Sequence, residues 1–169
     1  FTFTAESGTL KEYVVLGQNN FYVPKTIENP KVVNQNLHAL EAIDYLIITS
    51  NELANQAQRL ADYHQNNSNF TTQVVLLEQI YNEFSSGSKD ITGIRDFIKY
   101  LYDNNATPEH KLKYVTFFGD ASYDYKDRIA GNNNRVPVKL STNSFNLAQS
   151  YVTDDFFVML EPHEGGMVR

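Results

Sequence analysis

The residues best placed for chemistry in this chain are acids that follow apolar runs. Tyr114-Val115-Thr116-Phe117-Phe118 leads directly into Gly119-Asp120. A short, nearly continuous apolar run suits a strand buried on both faces of a parallel sheet. Gly119 allows a tight exit from that strand. Asp120 is then expected at the carboxyl edge of the sheet, where open α/β folds place ligands and catalytic groups. A carboxylate there can hold a hard cation, orient a base or cap its own turn. A second acidic group follows in Thr153-Asp154-Asp155, with Glu161 and Glu164 around Pro162. Adjacent like charges cost energy unless a cation offsets them. Neighbours on an extended segment point to opposite faces, so one of Asp154 and Asp155 is expected to face inward. Asp124 and Asp127 read as decoration of a solvated loop. The tyrosines Tyr123, Tyr125 and Tyr151 could line a groove, though packing is the commoner fate of aromatics.

The elements that must position these groups are legible in the pattern. Residues 1–36 alternate apolar and polar, with Gly8, Gly17-Gln18-Asn19-Asn20 and Asn29-Pro30 as punctuation. Short antiparallel strands are expected there. From Asp44 the grammar changes. Tyr45–Thr49, Thr72–Leu77 and Tyr114–Phe118 read as strands. Ser50 reads as the hydroxyl cap of a helix from about Asn51 to Gln65, whose apolar face is Leu53, Ala57, Leu60 and Ala61. Asp90 caps a second helix to Asn104, with Ile91, Ile94, Phe97, Ile98 and Leu101 inward. Gly93 inside it points to close packing. Glu78 to Gly87 reads as a loop, Asp124 to Arg135 as a mobile loop, and Val136-Pro137-Val138 as a short extended segment. The expected fold is α/β: a parallel βαβαβ sheet with flanking helices, the third strand beside the first, preceded by short antiparallel strands.

Composition narrows the function. With 169 residues the chain is long enough for one well-buried domain and a fragment of another. A formal net charge of -6 offers no basic stripe, so no nucleic-acid partner is expected. No apolar run approaches a membrane span. The chain opens on Phe1 within a strand-like segment, so a piece of a longer protein is expected. Zero cysteines exclude disulfides, thiolate metal sites and a cysteine nucleophile within these residues.

Several segments together resemble a known family. They are Asn34–His38, Tyr45–Thr49, Ile80–Gly87, Ile94–Tyr100, Gly119-Asp120-Ala121-Ser122, Val136-Pro137 and Thr153–Phe157. In order and spacing they are similar to the gingipain-type cysteine peptidases, and within them to the sortase branch of the type IX secretion system. The resemblance implies a caspase-like fold of two subdomains. Residues 1–36 would be the end of a preceding β-rich domain, and 37–169 a truncated first subdomain. It also implies a catalytic His in a His-Gly motif and a later Cys, both in the second subdomain. His38, His64, His110 and His163 are followed by Ala39, Gln65, Lys111 and Glu164, so none matches. It further implies a structural Ca²⁺ held by Asp120, the Glu161 carbonyl and Glu164. The plainer alternative is that Asp120 caps the following turn.

Three function classes follow. The resemblance implies an endopeptidase or transpeptidase that removes C-terminal sorting domains from secreted cargo and transfers the cargo to a lipopolysaccharide acceptor. Its partners would be those cargo proteins and other type IX components, at the extracellular face of the outer membrane or in secreted form. This fragment by itself would be inactive. The second class is a non-catalytic scaffold of the same fold. The third, a flavodoxin-like ligand-binding module, fits poorly, because Ser50-Asn51-Glu52 is short and acidic where a phosphate cradle would be needed.

Overall fold

The computed structural model describes residues 31–104 and 111–141 without a break, most of 143–164, residue 107, and residues 2, 4, 8, 10, 12–23 and 25. The chain falls into two units, residues 1–34 and 35–169.

The second unit is an α/β layer structure. Three parallel strands, β1 (Tyr45–Thr49), β2 (Thr72–Leu76) and β3 (Tyr114–Phe118), form a sheet in the order β2-β1-β3. Residues Tyr45, Thr72 and Tyr114 lie in register, as do Thr49, Leu76 and Phe118. The third strand therefore lies beside the first, as the alternation of elements leads one to expect. All five residues of β1 are buried, because both of its edges are paired and both faces covered.

The side chains of β1 alternate between two apolar clusters. Tyr45 and Ile47 pack with Ala57 and Ala61 of α1 (Ala54–Ser68). Leu46 and Ile48 pack with α2 (Leu77–Phe84), α3 (Ile91–Asn104) and the later Phe156 and Phe157. Burying each such large apolar side chain contributes about 1.5–3 kcal/mol. Helix α3 presents Ile94, Phe97, Ile98 and Leu101 inward at helical spacing. Its start is fixed by Asp90, whose Oδ1 accepts the Thr92 N–H at 2.8 Å. That bond, with the Thr92 hydroxyl, holds the Asp90 carboxyl below its ordinary range. Gly93 is needed for contact with α2: a Cβ there would lie 3.0 Å from both Cβ and Oγ of Ser85.

The structure corrects several expectations. Residues 77–84 form helix α2 rather than a loop. Leu77, Ile80, Tyr81 and Phe84 recur at i, i+3, i+4 and i+7, the spacing of a buried helical stripe. Gln79 replaces the missing Ser or Asp cap by accepting the Leu76 N–H on its side-chain oxygen at 3.0 Å. Ser50 makes no side-chain cap, and its buried Oγ has no hydrogen-bond partner. The chain first makes a tight turn over Asn51–Leu53, so the Leu53 N–H bonds the Ser50 carbonyl instead. The two-residue strand β4 is Lys139–Leu140, just past the expected Val136-Pro137-Val138, and it pairs antiparallel with β5 (Val152–Thr153).

In the first unit the described residues form no strand. Gly17 and Asn20 close a turn, with the Asn20 N–H bonded to Gly17 O at 3.0 Å. Val14, Tyr22 and Val23 remain more than four-fifths exposed. A strand requires a ladder with a neighbour, and the described residues 12–23 form none. Of the region 1–36 in which strands were expected, residues 1, 3, 5–7, 9, 11, 24 and 26–30 lie outside the described residues.

Candidate functional site

The carboxyl edge of the sheet opens on a cleft of 680 Å³ between the end of β1, the starts of α2 and α3, and residues of the segment 122–140. Ser50, Tyr81, Asp90, Ser122, Arg135 and Lys139 are among its lining residues.

The loop beyond β3 builds one wall. Gly119 leaves the strand with φ +155°, and an added Cβ would lie 2.6 Å from Val136 Cγ2. That approach lets the Asp120 carbonyl accept two N–H groups, from Arg135 at 2.8 Å and Val136 at 3.1 Å. The loop is thus pinned at both ends. Its interior is held by Asp124, which is buried, contrary to the solvated role its sequence suggests. Asp124 Oδ2 accepts the N–H groups of Arg128 at 2.6 Å and Ile129 at 2.7 Å, and its carbonyl accepts Asn132 Nδ2. Asn134 Oδ1 accepts the Ser122 N–H at 3.0 Å. The loop is thus cross-linked internally through Asp124 and Asn134. Asp127 is exposed, as expected of a solvated acid. Tyr123 and Tyr125 stand out from the loop, 68% and 67% exposed, with Tyr125 at the cleft.

Electrostatics in the cleft is mixed. Arg135 Nε lies 3.2 Å from Glu52 Oε2. Tyr81 is 8% exposed, and its burial, with Glu78 and Asp90 nearby, pushes its hydroxyl up to about 12. Among the described lining residues there is no histidine, and the chain has no cysteine.

The acids singled out from the sequence each have partners of their own: Asp120 in the loop that follows β3, and Glu161 and Glu164 in one another. Asp120 is exposed, its Oδ1 accepting the Ala121 N–H at 3.0 Å and its Oδ2 bonded to Asn133 Nδ2. Glu164 Oε2 accepts the Glu161 N–H at 2.8 Å, and the Glu164 N–H returns to the Glu161 carbonyl at 3.1 Å. Among the described residues no three His, Asp or Glu side chains cluster as a metal ion requires. Asp154 and Asp155 are both exposed, so neither is the expected inward acid. Phe156 and Phe157 take the inward positions, because the chain coils into a short helical turn over Asp155–Phe157. Burial, then the charge of Asp155, raises the Asp154 carboxyl. Arg95 fixes this return segment through Nε to Met159 O at 2.7 Å and sits 5.4 Å from the Phe156 ring centroid.

Two polar centres have no local sequence signal. Asp44 is buried at the opposite edge of the sheet, where its Oδ2 accepts the Thr71 N–H at 3.0 Å and its Oδ1 lies 2.7 Å from Lys113 Nζ. Its backbone bonds Thr71 and Lys113, so one residue ties the starts of all three strands. Glu83 gathers the residues that precede β1, and its partners lie 45 to 48 positions earlier.

Residues 38–167 match peptidase family C25. This chain belongs to the C25, or gingipain, family of cysteine peptidases. Within that family, a solved relative is dimeric latent PorU from Porphyromonas gingivalis. This chain is 35% identical to it with a TM-score of 0.65, the match covering 77% of this chain and 13% of that one. No curated protein matches the sequence. The carboxyl-edge cleft lies within the residues that match family C25, and the chain spans 13% of the solved relative's length.

Proposed function

We propose that residues 37–169 are the non-nucleophile part of a C25 peptidase domain, preceded by the end of a β-rich domain over 1–36, and that the longer protein is a type IX secretion sortase. The observation that carries this reading is the 35% identity to PorU over 77% of the chain. In the proposed reaction a cysteine thiolate attacks the carbonyl preceding the C-terminal sorting domain of a cargo protein. The peptide C–N bond breaks and the sorting domain leaves with its new amino end, protonated by a histidine. The cargo remains as a thioester, which a nucleophilic group of a lipopolysaccharide acceptor attacks, releasing the thiolate. An oxyanion hole stabilises both tetrahedral intermediates. The thiolate cannot come from this chain, which has no cysteine. The role of the described unit is support: a rigid sheet edge and a pinned loop beside the cleft. Secreted cargo and other type IX components are the proposed partners, at the outer face of the outer membrane.

The reading is tested with both lengths of protein. The 169-residue chain, incubated with Arg-, Lys- and other peptide reporters, is expected to give no turnover above buffer. The longer protein is expected to release the C-terminal domain of a cargo, and a thiol reagent is expected to stop it. Turnover that follows the purified short chain and survives thiol reagents would overturn the assignment of roles. A longer protein that cuts no cargo, although folded and with its His and Cys in place, would overturn the sortase reading.

A further inference from the structure

Residues 35–40 lead into β1, and a single carboxylate on α2 holds them. Both oxygens of Glu83 accept the Leu37 N–H at 2.9 Å. Oε1 also accepts Gln35 Nε2 at 2.8 Å, and Oε2 lies 2.7 Å from His38 Nδ1. Gln35 Nε2 bonds the Gln79 carbonyl as well. The His38 ring is stacked on Phe84, with centroids 4.6 Å apart and planes 11° apart. From α3 the Tyr100 hydroxyl donates to the His38 carbonyl at 2.7 Å. The Glu83 side chain is 16% exposed, and its His38 partner is half-exposed. Gln35 is also the first residue of the second unit.

We infer that Glu83 is an acid-released latch: its carboxylate clasps residues 35–38 onto α2 and α3, and its protonation frees that segment while the sheet stays folded. An ionised carboxylate is acceptor-only, and here donors approach both oxygens. Protonation puts an O–H where a donor already points, so at least one of these bonds is lost. The titratable groups facing the carboxylate are His38 from the segment and, behind it on α3, Tyr100. Lys99 and Asp103 of α3 pair with each other at 2.9 Å at an exposed position.

Burial by itself would push the Glu83 carboxyl up. The bonds from Leu37, Gln35 and His38 outweigh burial and hold it below the ordinary value. The latch is therefore fully present above the ordinary glutamate pKa of about 4.3 and is lost as pH falls through the depressed value. The segment can leave by itself because little of it is core. Leu37 is buried and Leu40 only partly, while β1 is enclosed by α1 on one face and by α2 and α3 on the other. Such peripheral pieces open at lower free energy than the sheet they rest on.

Hydrogen exchange read by mass spectrometry on the 169-residue chain tests this, with rates corrected for the intrinsic effect of pH. As pH is lowered from about 5 through the acid range, peptides covering 35–40 are expected to lose protection about tenfold before those covering 45–49 lose theirs. Glu83→Gln is expected to show the same loss at neutral pH. Equal loss in 35–40 and 45–49 for the wild type, or wild-type protection of 35–40 in E83Q at neutral pH, would overturn the latch. If E83Q does not fold, Gln35→Ala removes one donor and leaves the carboxylate. It is expected to move the release to higher pH, and an unmoved midpoint counts against the inference.

Discussion

Gly119 sets how closely the loop can return over the end of β3. A Cβ at this position meets Val136 Cγ2 at 2.6 Å and Arg135 Cβ at 3.1 Å. Gly119→Ala is expected to lower the unfolding free energy by about 1–3 kcal/mol, measured by urea denaturation. A loss below about 0.5 kcal/mol would mean that the loop yields easily. Tyr81 carries a pH dependence of known sign. Its folded pKa is raised to about 12 by burial first and by Glu78 and Asp90 second. The stability linked to the neutral phenol is fully present below about pH 10 and is lost as pH rises through the folded value. Between about pH 10 and 12 the wild type is expected to lose on the order of 2 kcal/mol more than Tyr81→Phe. Parallel pH curves for the two proteins would show that the hydroxyl is hydrated.

Among the elements, α2 is the least obvious from sequence and the most central to the site. It borders the cleft through Leu77, Glu78 and Tyr81, holds the entry segment through Glu83, and packs on α3 at Gly93. Its helical state makes a sharp distinction between two neighbours. Ile80 is fully buried, and Asn82 is exposed. Ile80→Ala is expected to cost about 2–5 kcal/mol, and Asn82→Ala within about 0.5 kcal/mol, by thermal or urea unfolding. Similar small costs at both positions would fit a loop over these residues and contradict the helix. The α2 stripe was present in the sequence at 77, 80, 81 and 84. Two features hid it: the apolar run of β2 continues into Leu77 without a turn, and the cap comes from Gln79, inside the helix. Helix α3 was plain by contrast, because Asp90 precedes a full apolar stripe.

At the scale of the whole molecule, the acidic positions determine how the chain meets cations. The Asp120 carboxylate is engaged by Ala121 and Asn133, and Glu161 and Glu164 bond each other. Millimolar Ca²⁺ is therefore expected to leave the Tm of this chain within about 1 °C of its value in chelator, since a ligand stabilises only by preferential binding to the folded state. A rise of several degrees that Asp120→Asn abolishes would instead place a cation at the sheet edge. The chain covers 13% of its solved relative. The described residues account for the sheet edge, the loop and the entry segment.

The sequence by itself determined the three strands, α3, the neighbourhood of β1 and β3, and the order of segments that marks the family. Those features rest on local periodicity and on the handedness of βαβ connections, both of which neighbouring residues carry. Tertiary structure alone decided the polar centres. Asp44 is buried only because the starts of three strands converge on it, and Asp124 only because its loop folds back on itself. Glu83 finds its acceptor role with a backbone 46 residues earlier in the chain. The outward turn of Asp154 and Asp155 was likewise settled by Phe156 and Phe157 taking the core. A side chain's polarity is written in its residue type. The partner that satisfies it exists only once distant segments are packed together.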